Sequence, residues 1–307
     1  MDTGLGKSSF VAVIGAANMD LMGKMTGPAV EGDSNPGELT VSAGGVARNI
    51  AENLAHLGTP CELITALGND AWGQQLRQHC DSLGIGLSRS IVSDEHRTST
   101  YLSTHDNQGE LITAINDMAI LDCLSAKNLE SRIELLKAAN CWVIDANLPD
   151  STLAFLFKHV GDIPVWIDPV STTKAARLTP YLSQISGITP NLEEAAILSG
   201  LEANGSDVAP ILAKQLHAKG VAKVMITLGE HGAYTSNGEV ADWVPAKQID
   251  VSNVTGCGDA AIAALVHGYV SGVDWQRSCE LAMAAAALTA SSPTTNTPLL
   301  ATLGHTQ

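Results

Sequence analysis

Apolar residues in this chain come in short unbroken runs separated by longer stretches with helical spacing. The runs FVAVIG (10–15), CELITALG (61–68), CWVIDAN (141–147), VWIDP (165–169), GITPN (187–191) and KVMITLG (223–229) read as strands buried on both faces. Amphipathic stretches at 46–57, 71–83, 125–138, 150–158, 173–182, 191–199 and 207–219 predict helices between them. This alternation predicts an α/β fold with a mainly parallel sheet flanked by helices. Residues 257–290 predict two further helices. Their alanine and glycine content suits tight packing and close backbone approach to a ligand.

Two regions break the alternation. Residues 19–43 and 97–118 carry strand signals with no helix between them. TSTYLSTHDNQGELITAIND (98–117) reads as a hairpin with Asn107-Gln108-Gly109 near the turn. Together they predict a small second sheet, inserted as a lid into one domain spanning 1–307. The stretch after about 293, with its Pro, Thr and Asn, predicts a fraying end.

Composition narrows the function classes. The chain is 45% hydrophobic and 16% charged, which supplies a core and excludes a disordered chain. Seventeen Lys and Arg against 32 Asp and Glu give a net charge of -15, a surface that repels nucleic acid. A small anion can still bind where backbone N–H groups or Mg²⁺ make the potential locally positive. No apolar run approaches the ~20 residues of a membrane span. The six cysteines form no C-x-x-C pair, as in a cytoplasmic protein with reduced thiols. The nine histidines show no metal-ligand spacing. GLGKSS (4–9) has part of a phosphate-binding loop, but it precedes the first strand and lacks the full spacing.

Three segments carry candidate chemistry. In NVTGCGDAAIAAL (253–265), Gly256 and Gly258 free the backbone to present N–H groups where a long helix begins. Asp259 falls in the first turn of that helix. N–H groups beside a carboxylate suit phosphoryl transfer: the former hold the transferring oxygens and the latter accepts an alcohol proton. The same pattern also fits a plain helix start with an acidic residue. In SAGGVARNIAENLAHLG (42–58), Gly44-Gly45 precede a second helix, with Asn49 in its first or second turn. In GAANMD (15–20), Asn18 and Asp20 follow the first strand, two apart and hence on one side of an extended segment. An amide paired with a carboxylate grips vicinal hydroxyls, or caps a turn.

In this order the segments resemble the ribokinase, or PfkB-type, carbohydrate kinases along nearly the whole chain. AGGVARN and NVTGCGDA are similar to the two signatures of that family, TPNLEE (189–194) to its N-x-x-E motif, and ITLGEHGAY (226–234) to its nucleotide loop. The resemblance implies a Rossmann-like ribokinase fold with a β-sheet lid. It implies ATP between Thr227, Gly229 and Gly232 on one side and the 257–290 helices, with Met283, on the other, near Asn191. Glu194 would order Mg²⁺ through water. Asp259 would take the proton of a primary hydroxyl while Gly256, Cys257 and Gly258 cradle the phosphoryl group. Asn18, Asp20, Gly45 and Asn49 would hold the sugar.

Within the family, GAANMD, DSNPGELTVSAGGVARNIAENLAHLG (33–58) and RTSTYLSTHDNQGELITAINDM (97–118) look most like the kinases of pseudouridine. The implied base contacts are Ser34 and Asn35, then Tyr101 and Thr113. Val46 stands where sugar kinases often carry lysine, and Asn147 where ribokinases carry a glutamate. Both departures point to a nucleoside over a free sugar. Asn253 replaces the usual aspartate of the second signature, which removes the support for an activating monovalent cation. Related kinases pair their lids, so the resemblance implies a homodimer. Rival readings are a kinase for another nucleoside or ribose, and a non-catalytic nucleoside-binding protein. The intact Asp259 and glycine loop speak against the last.

Overall fold

The computed structural model describes residues 10–304, and the GLGKSS stretch lies outside them. The strands are β1 (Val11–Ile14), β2 (Asn18–Met25), β3 (Gly37–Gly44), β4 (Cys61–Ile64), β5 (Ala66–Gly68), β6 (Ile91–Ser93), β7 (Thr100–His105), β8 (Leu111–Asp117), β9 (Cys141–Asp145), β10 (Val165–Asp168), β11 (Gly187–Ile188), β12 (Lys223–Thr227), β13 (Ala233–Ser236) and β14 (Ala241–Val244). The helices are α1 (Val46–His56), α2 (Ala71–Ser82), α3 (Ala126–Glu130), α4 (Ile133–Leu136), α5 (Asp150–His159), α6 (Thr172–Ala175), α7 (Leu192–Ser199), α8 (Ala209–Ala218), α9 (Cys257–Val270) and α10 (Trp275–Ala290).

The main sheet runs β14-β13-β12-β11-β10-β9-β1-β4. Its pairings from β12 to β4 are parallel, and β13 and β14 add an antiparallel edge. Strand alternation divides the core. In β1, Ala12 and Ile14 join one buried cluster with Leu153, Leu156 and Leu212 of α5 and α8. Val11 and Val13 join the other, with Ile50, Ile262 and Leu281 of α1, α9 and α10. Both faces are therefore covered. The carboxyl ends of the parallel strands open on one edge, where ligands of such sheets gather.

The second sheet is β3-β2-β7-β8. Its register sets Asp20, Ser42, Tyr101 and Asn116 abreast on one face, and Leu21, Val41, Leu102 and Ile115 abreast on the other.

Four expectations change. The run 61–68 is two strands: Ile91 N–H bonds the Thr65 carbonyl, and β5 leaves the main sheet to pair with β6. The helix expected at 125–138 breaks into α3 and α4, each closed by its own short turn. That expected at 173–182 ends early, as α6 passes into a 3₁₀ segment containing Pro180, which has no N–H to continue an α-ladder. Over the described residues 293–304 the C-terminal stretch is packed down. Asn296 and Thr297 are buried, Leu300 is wholly enclosed, and Thr297 caps the turn Pro298–Thr302.

Candidate active site

The strand-end edge is tied together by Asp145, at the end of β9. Its Oδ2 accepts from Ala16 N at 2.8 Å and Ala47 N at 3.0 Å, and its Oδ1 from Asn147 N at 2.9 Å. One buried carboxylate thus joins the end of β1 to the start of α1. Gly45 makes this approach possible. It sits at φ 97°, and a Cβ there would stand 2.5 Å from the Ala16 carbonyl oxygen. Asn18 Nδ2 donates to Asp20 Oδ1. The half-buried Asp20 carboxylate lies over Gly44, where a Cβ would come within 2.3 Å of it. Burial raises the Asp20 carboxyl above its usual range, against the opposing pull of Asn18 and Arg48.

Opposite this group stands the start of α9. Gly256 caps the helix in the left-handed conformation, φ 87°, with no side-chain hydrogen bond. A Cβ on Gly256 would lie 2.2 Å from the Thr295 carbonyl oxygen, so the C-terminal segment packs directly on this loop. A Cβ on Gly258 would meet nothing within 4 Å. That open space lies at a helix N-terminus, where backbone N–H groups favour an anion. Asp259 is 8% exposed, and its Oδ2 accepts from Asn49 Nδ2 at 2.6 Å. Burial pushes its pKa up to about 7, with Asn49 and Arg48 opposing and Asp145 adding to the rise. Cys257 is half-buried, and burial and Asp259 both raise its thiol, leaving its backbone as the useful group.

A cleft of about 550 Å³ opens beside this edge, lined by Asn191, Leu192, Thr227, Gly229 and His231 among others. Asn191 and Glu194 form a reciprocal cap on α7. Asn191 Oδ1 accepts from Glu194 N at 2.8 Å, and Glu194 Oε2 from Asn191 N at 2.9 Å. The N-x-x-E motif is thus also a helix start, with one Glu194 oxygen engaged. Gly232 packs against the Val244 carbonyl, 2.1 Å from where a Cβ would be, and so shapes the strand edge behind the cleft.

Two sequence-predicted residues stand apart from these groups, and a third is engaged within its own loop. Met283 is buried in the apolar cluster of α9 and α10 and does not line the cleft. Thr113 pairs with Thr104, which puts it on the opposite face of the small sheet from Tyr101 and Asp20; Asn116 is the residue abreast of Tyr101. Asn35 gives its amide to its own loop, accepting from Val30 N at 2.7 Å and donating to Val30 O and Asp33 O. Ser34 neighbours it, with its N–H on Asp33 Oδ1. Asn147 is at the edge, and its Oδ1 accepts from Lys174 Nζ.

Sequence reading passed over Asp145, Asp168, Lys174, Arg48 and Asn296. Asp145 and Asp168 had a signal: each ends an apolar strand at the edge where ligands gather. Burial and the Asp259, Glu194 and Asp145 charges hold the Asp168 carboxyl well above its usual value. Among the described residues no three His, Cys, Asp or Glu side chains stand close enough to hold a metal directly. Hard oxygen donors crowded into mutual repulsion fit Mg²⁺ held through water and phosphate.

A model of the pfkB family carbohydrate kinases matches residues 8–302. The chain is 35% identical to the pseudouridine kinase of Escherichia coli over 95% of its own length and 94% of that protein. A carbohydrate kinase from Agrobacterium tumefaciens superposes with a TM-score of 0.83 at 26% identity, covering 94% of this chain and 92% of that one. The ribokinase of Arabidopsis thaliana, solved with ribose and ATP, shares the fold with a TM-score of 0.81 at 21% identity, covering 97% and 99%. This ribokinase fold, with its glycine-flanked carboxylate at the head of α9, belongs to a member of the pfkB family of carbohydrate kinases.

Proposed function

We propose that this chain transfers the γ-phosphoryl group of ATP to the 5′-hydroxyl of pseudouridine. The observation that carries the chemistry is Asp259: a buried carboxylate beside an open glycine turn, with Oδ2 held by Asn49 and Oδ1 left for the alcohol proton. Asp259 removes the proton as the 5′-oxygen bonds to phosphorus and the bond from phosphorus to the ADP oxygen breaks. The turn Gly256–Gly258 receives the transferring oxygens on its N–H groups. Asn18 and Asp20 hold the ribose hydroxyls, with Gly45 and Asn49 beneath the sugar. Asn191, Thr227 and Gly229 border the nucleotide. Glu194 and Asp168 would hold Mg²⁺ through water, where it would supply positive charge against the phosphates.

Identity to the Escherichia coli pseudouridine kinase across the chain supports the substrate. The apolar Val46 at the head of α1 leaves room for a base at the anomeric carbon, and Lys174 occupies Asn147. The four-stranded sheet serves as the lid. Tyr101, beside Asp20, faces the substrate, with the 33–35 loop at the rim. The outer face, with Leu39 66% and Ile115 62% exposed, pairs with a second copy.

Phosphorus NMR of the product from purified protein, ATP, Mg²⁺ and pseudouridine tests the reaction. A new 5′-phosphomonoester that Asp259→Asn fails to make is the expected result. ATP hydrolysis with the nucleoside unchanged contradicts it.

A further inference from the structure

Arg48 has no counterpart among the residues assigned above, yet it is 2% exposed and makes more polar contacts than its neighbours on α1. Its Nε donates to Gly44 O at 3.0 Å and its Nη2 to Ala43 O at 3.0 Å, so the guanidinium holds the end of β3. Nη2 also donates to Asn296 Oδ1 at 3.0 Å and to Asn49 Oδ1. Nη1 donates to Glu52 Oε2, and His79 Nε2 lies 3.4 Å from it. Glu52 is shared with His56 and His79, and these partners with Arg48 hold its carboxyl far below the usual range despite burial. A buried cation with an ionised partner on one side therefore stands against the Asn49 amide on the other.

An asparagine amide has a donor end and an acceptor end, and the two need different partners. Arg48 is a donor only. With Arg48 on Oδ1, the end of Asn49 left to face Asp259 is Nδ2, and that is the 2.6 Å bond observed. The reversed amide would set two acceptors against each other at Asp259 and two donors against each other at Arg48. We propose that Arg48 is a positioning residue for phosphoryl transfer, acting through Asn49 by turning the donor end of its amide onto Asp259. The inference rests on Asp259 as the acceptor of the alcohol proton.

Two consequences follow from that geometry. A donor on Oδ2 favours the ionised carboxylate and leaves Oδ1 as the oxygen that takes the proton. Asn296 locks the other end of the arrangement, donating to Asn49 O and Asn53 Oδ1 at 3.0 Å each, so the closing segment of the chain holds Arg48 and Asn49 in register. The charged groups around the base are then Arg48 and Glu52 from α1, Asp145 from β9 and Asp168 from β10. His79 of α2 lies behind Glu52.

The test is the pH profile of kcat/KM for the parent, Arg48→Met, Asn49→Ala and the double variant, with ATP and pseudouridine. Each single variant is expected to lose kcat by a factor on the order of 10 or more and to move the acid limb to higher pH. KM for ATP should stay within about twofold. The double variant should be no worse than Asn49→Ala by more than about threefold. Arg48→Lys, which keeps the charge toward Glu52, is the second variant should Arg48→Met fold poorly. It is expected to show the same non-additivity. Losses that multiply in the double variant, or an unmoved acid limb in the single ones, overturn the proposal. Asp259→Asn run alongside separates the two ideas. Near-parental turnover there overturns the base assignment and Arg48 with it. An inactive Asp259→Asn with multiplicative losses overturns Arg48 alone.

Discussion

Asn49 and Asp259 lie 210 positions apart and meet in a buried 2.6 Å hydrogen bond. The bond joins the head of α1 to the head of α9, so the two glycine-rich segments face each other across the site. Asp259→Asn keeps the shape of this contact and removes the carboxylate proposed as the base. Turnover should fall by a factor on the order of 10² to 10⁴, while ATP and nucleoside still bind by calorimetry.

Activity should follow the ionisation of Asp259. Burial pushes its pKa up to about 7, so kcat/KM should fall about tenfold per pH unit below that value. Stability should move the other way. The folded-state pKa exceeds the ordinary 3.8, so the folded protein binds the extra proton between those values, and this group's contribution to stability declines as pH rises from about 4 to about 7. Asp259→Asn removes the buried charge, and its melting temperature at pH 8 should exceed that of the parent. Scanning calorimetry at pH 5 and pH 8 reads the difference.

The two glycines of the turn should respond differently to alanine. Gly258→Ala adds a methyl group to open space, so the protein should fold normally while kcat falls and KM for ATP rises. Gly256→Ala drives a methyl group into the Thr295 carbonyl at a positive φ and should lower the melting temperature by several degrees.

Asp20 and Asn18 share a hydrogen bond at the start of β2. Asp20→Ala should raise KM for the nucleoside far more than KM for ATP. A 2′- or 3′-deoxy substrate should lose less in the variant than in the parent. Equal discrimination by both proteins would dismiss the hydroxyl clamp.

The small sheet offers a test of facing. Tyr101 is abreast of Asp20, and Thr113 is on the other side. Tyr101→Ala should weaken nucleoside use, whereas Thr113→Ala should leave kcat/KM within about twofold. The reverse result would mean that the opposite face covers the substrate.

The main sheet was readable because its strands are buried on both sides, so their sequences are unbroken apolar runs. The heads of α1 and α9 were readable because glycine is required where backbone approaches backbone, as Gly45 does with Ala16 and Gly256 with Thr295. Facing in the small sheet was not. Half-exposed strands alternate by two, and the register shift between Thr104 and His105 decides which residues of β8 meet β7. The Arg48–Asn49–Asp259 chain was also hidden. Arg48 sits in a helical stretch that reads as amphipathic, and Asn296 comes from a segment with no periodic pattern, so only the tertiary contact reveals them. The motif Asn191–Glu194 stands at the head of α7, where its reciprocal cap is a structural role as well.

The most direct measurement is kcat/KM at saturating ATP across pseudouridine, uridine, cytidine, adenosine, ribose and fructose. Pseudouridine and uridine share the ribose. They differ at the glycosidic atom, which leaves pseudouridine an extra N–H donor that a buried acceptor can reward by about 1–3 kcal/mol. The account predicts pseudouridine first, ahead of uridine by roughly one to two decades. A preference for adenosine or free ribose would contradict the substrate while leaving a kinase. Absence of phosphoryl transfer to every alcohol in the series would contradict the account itself.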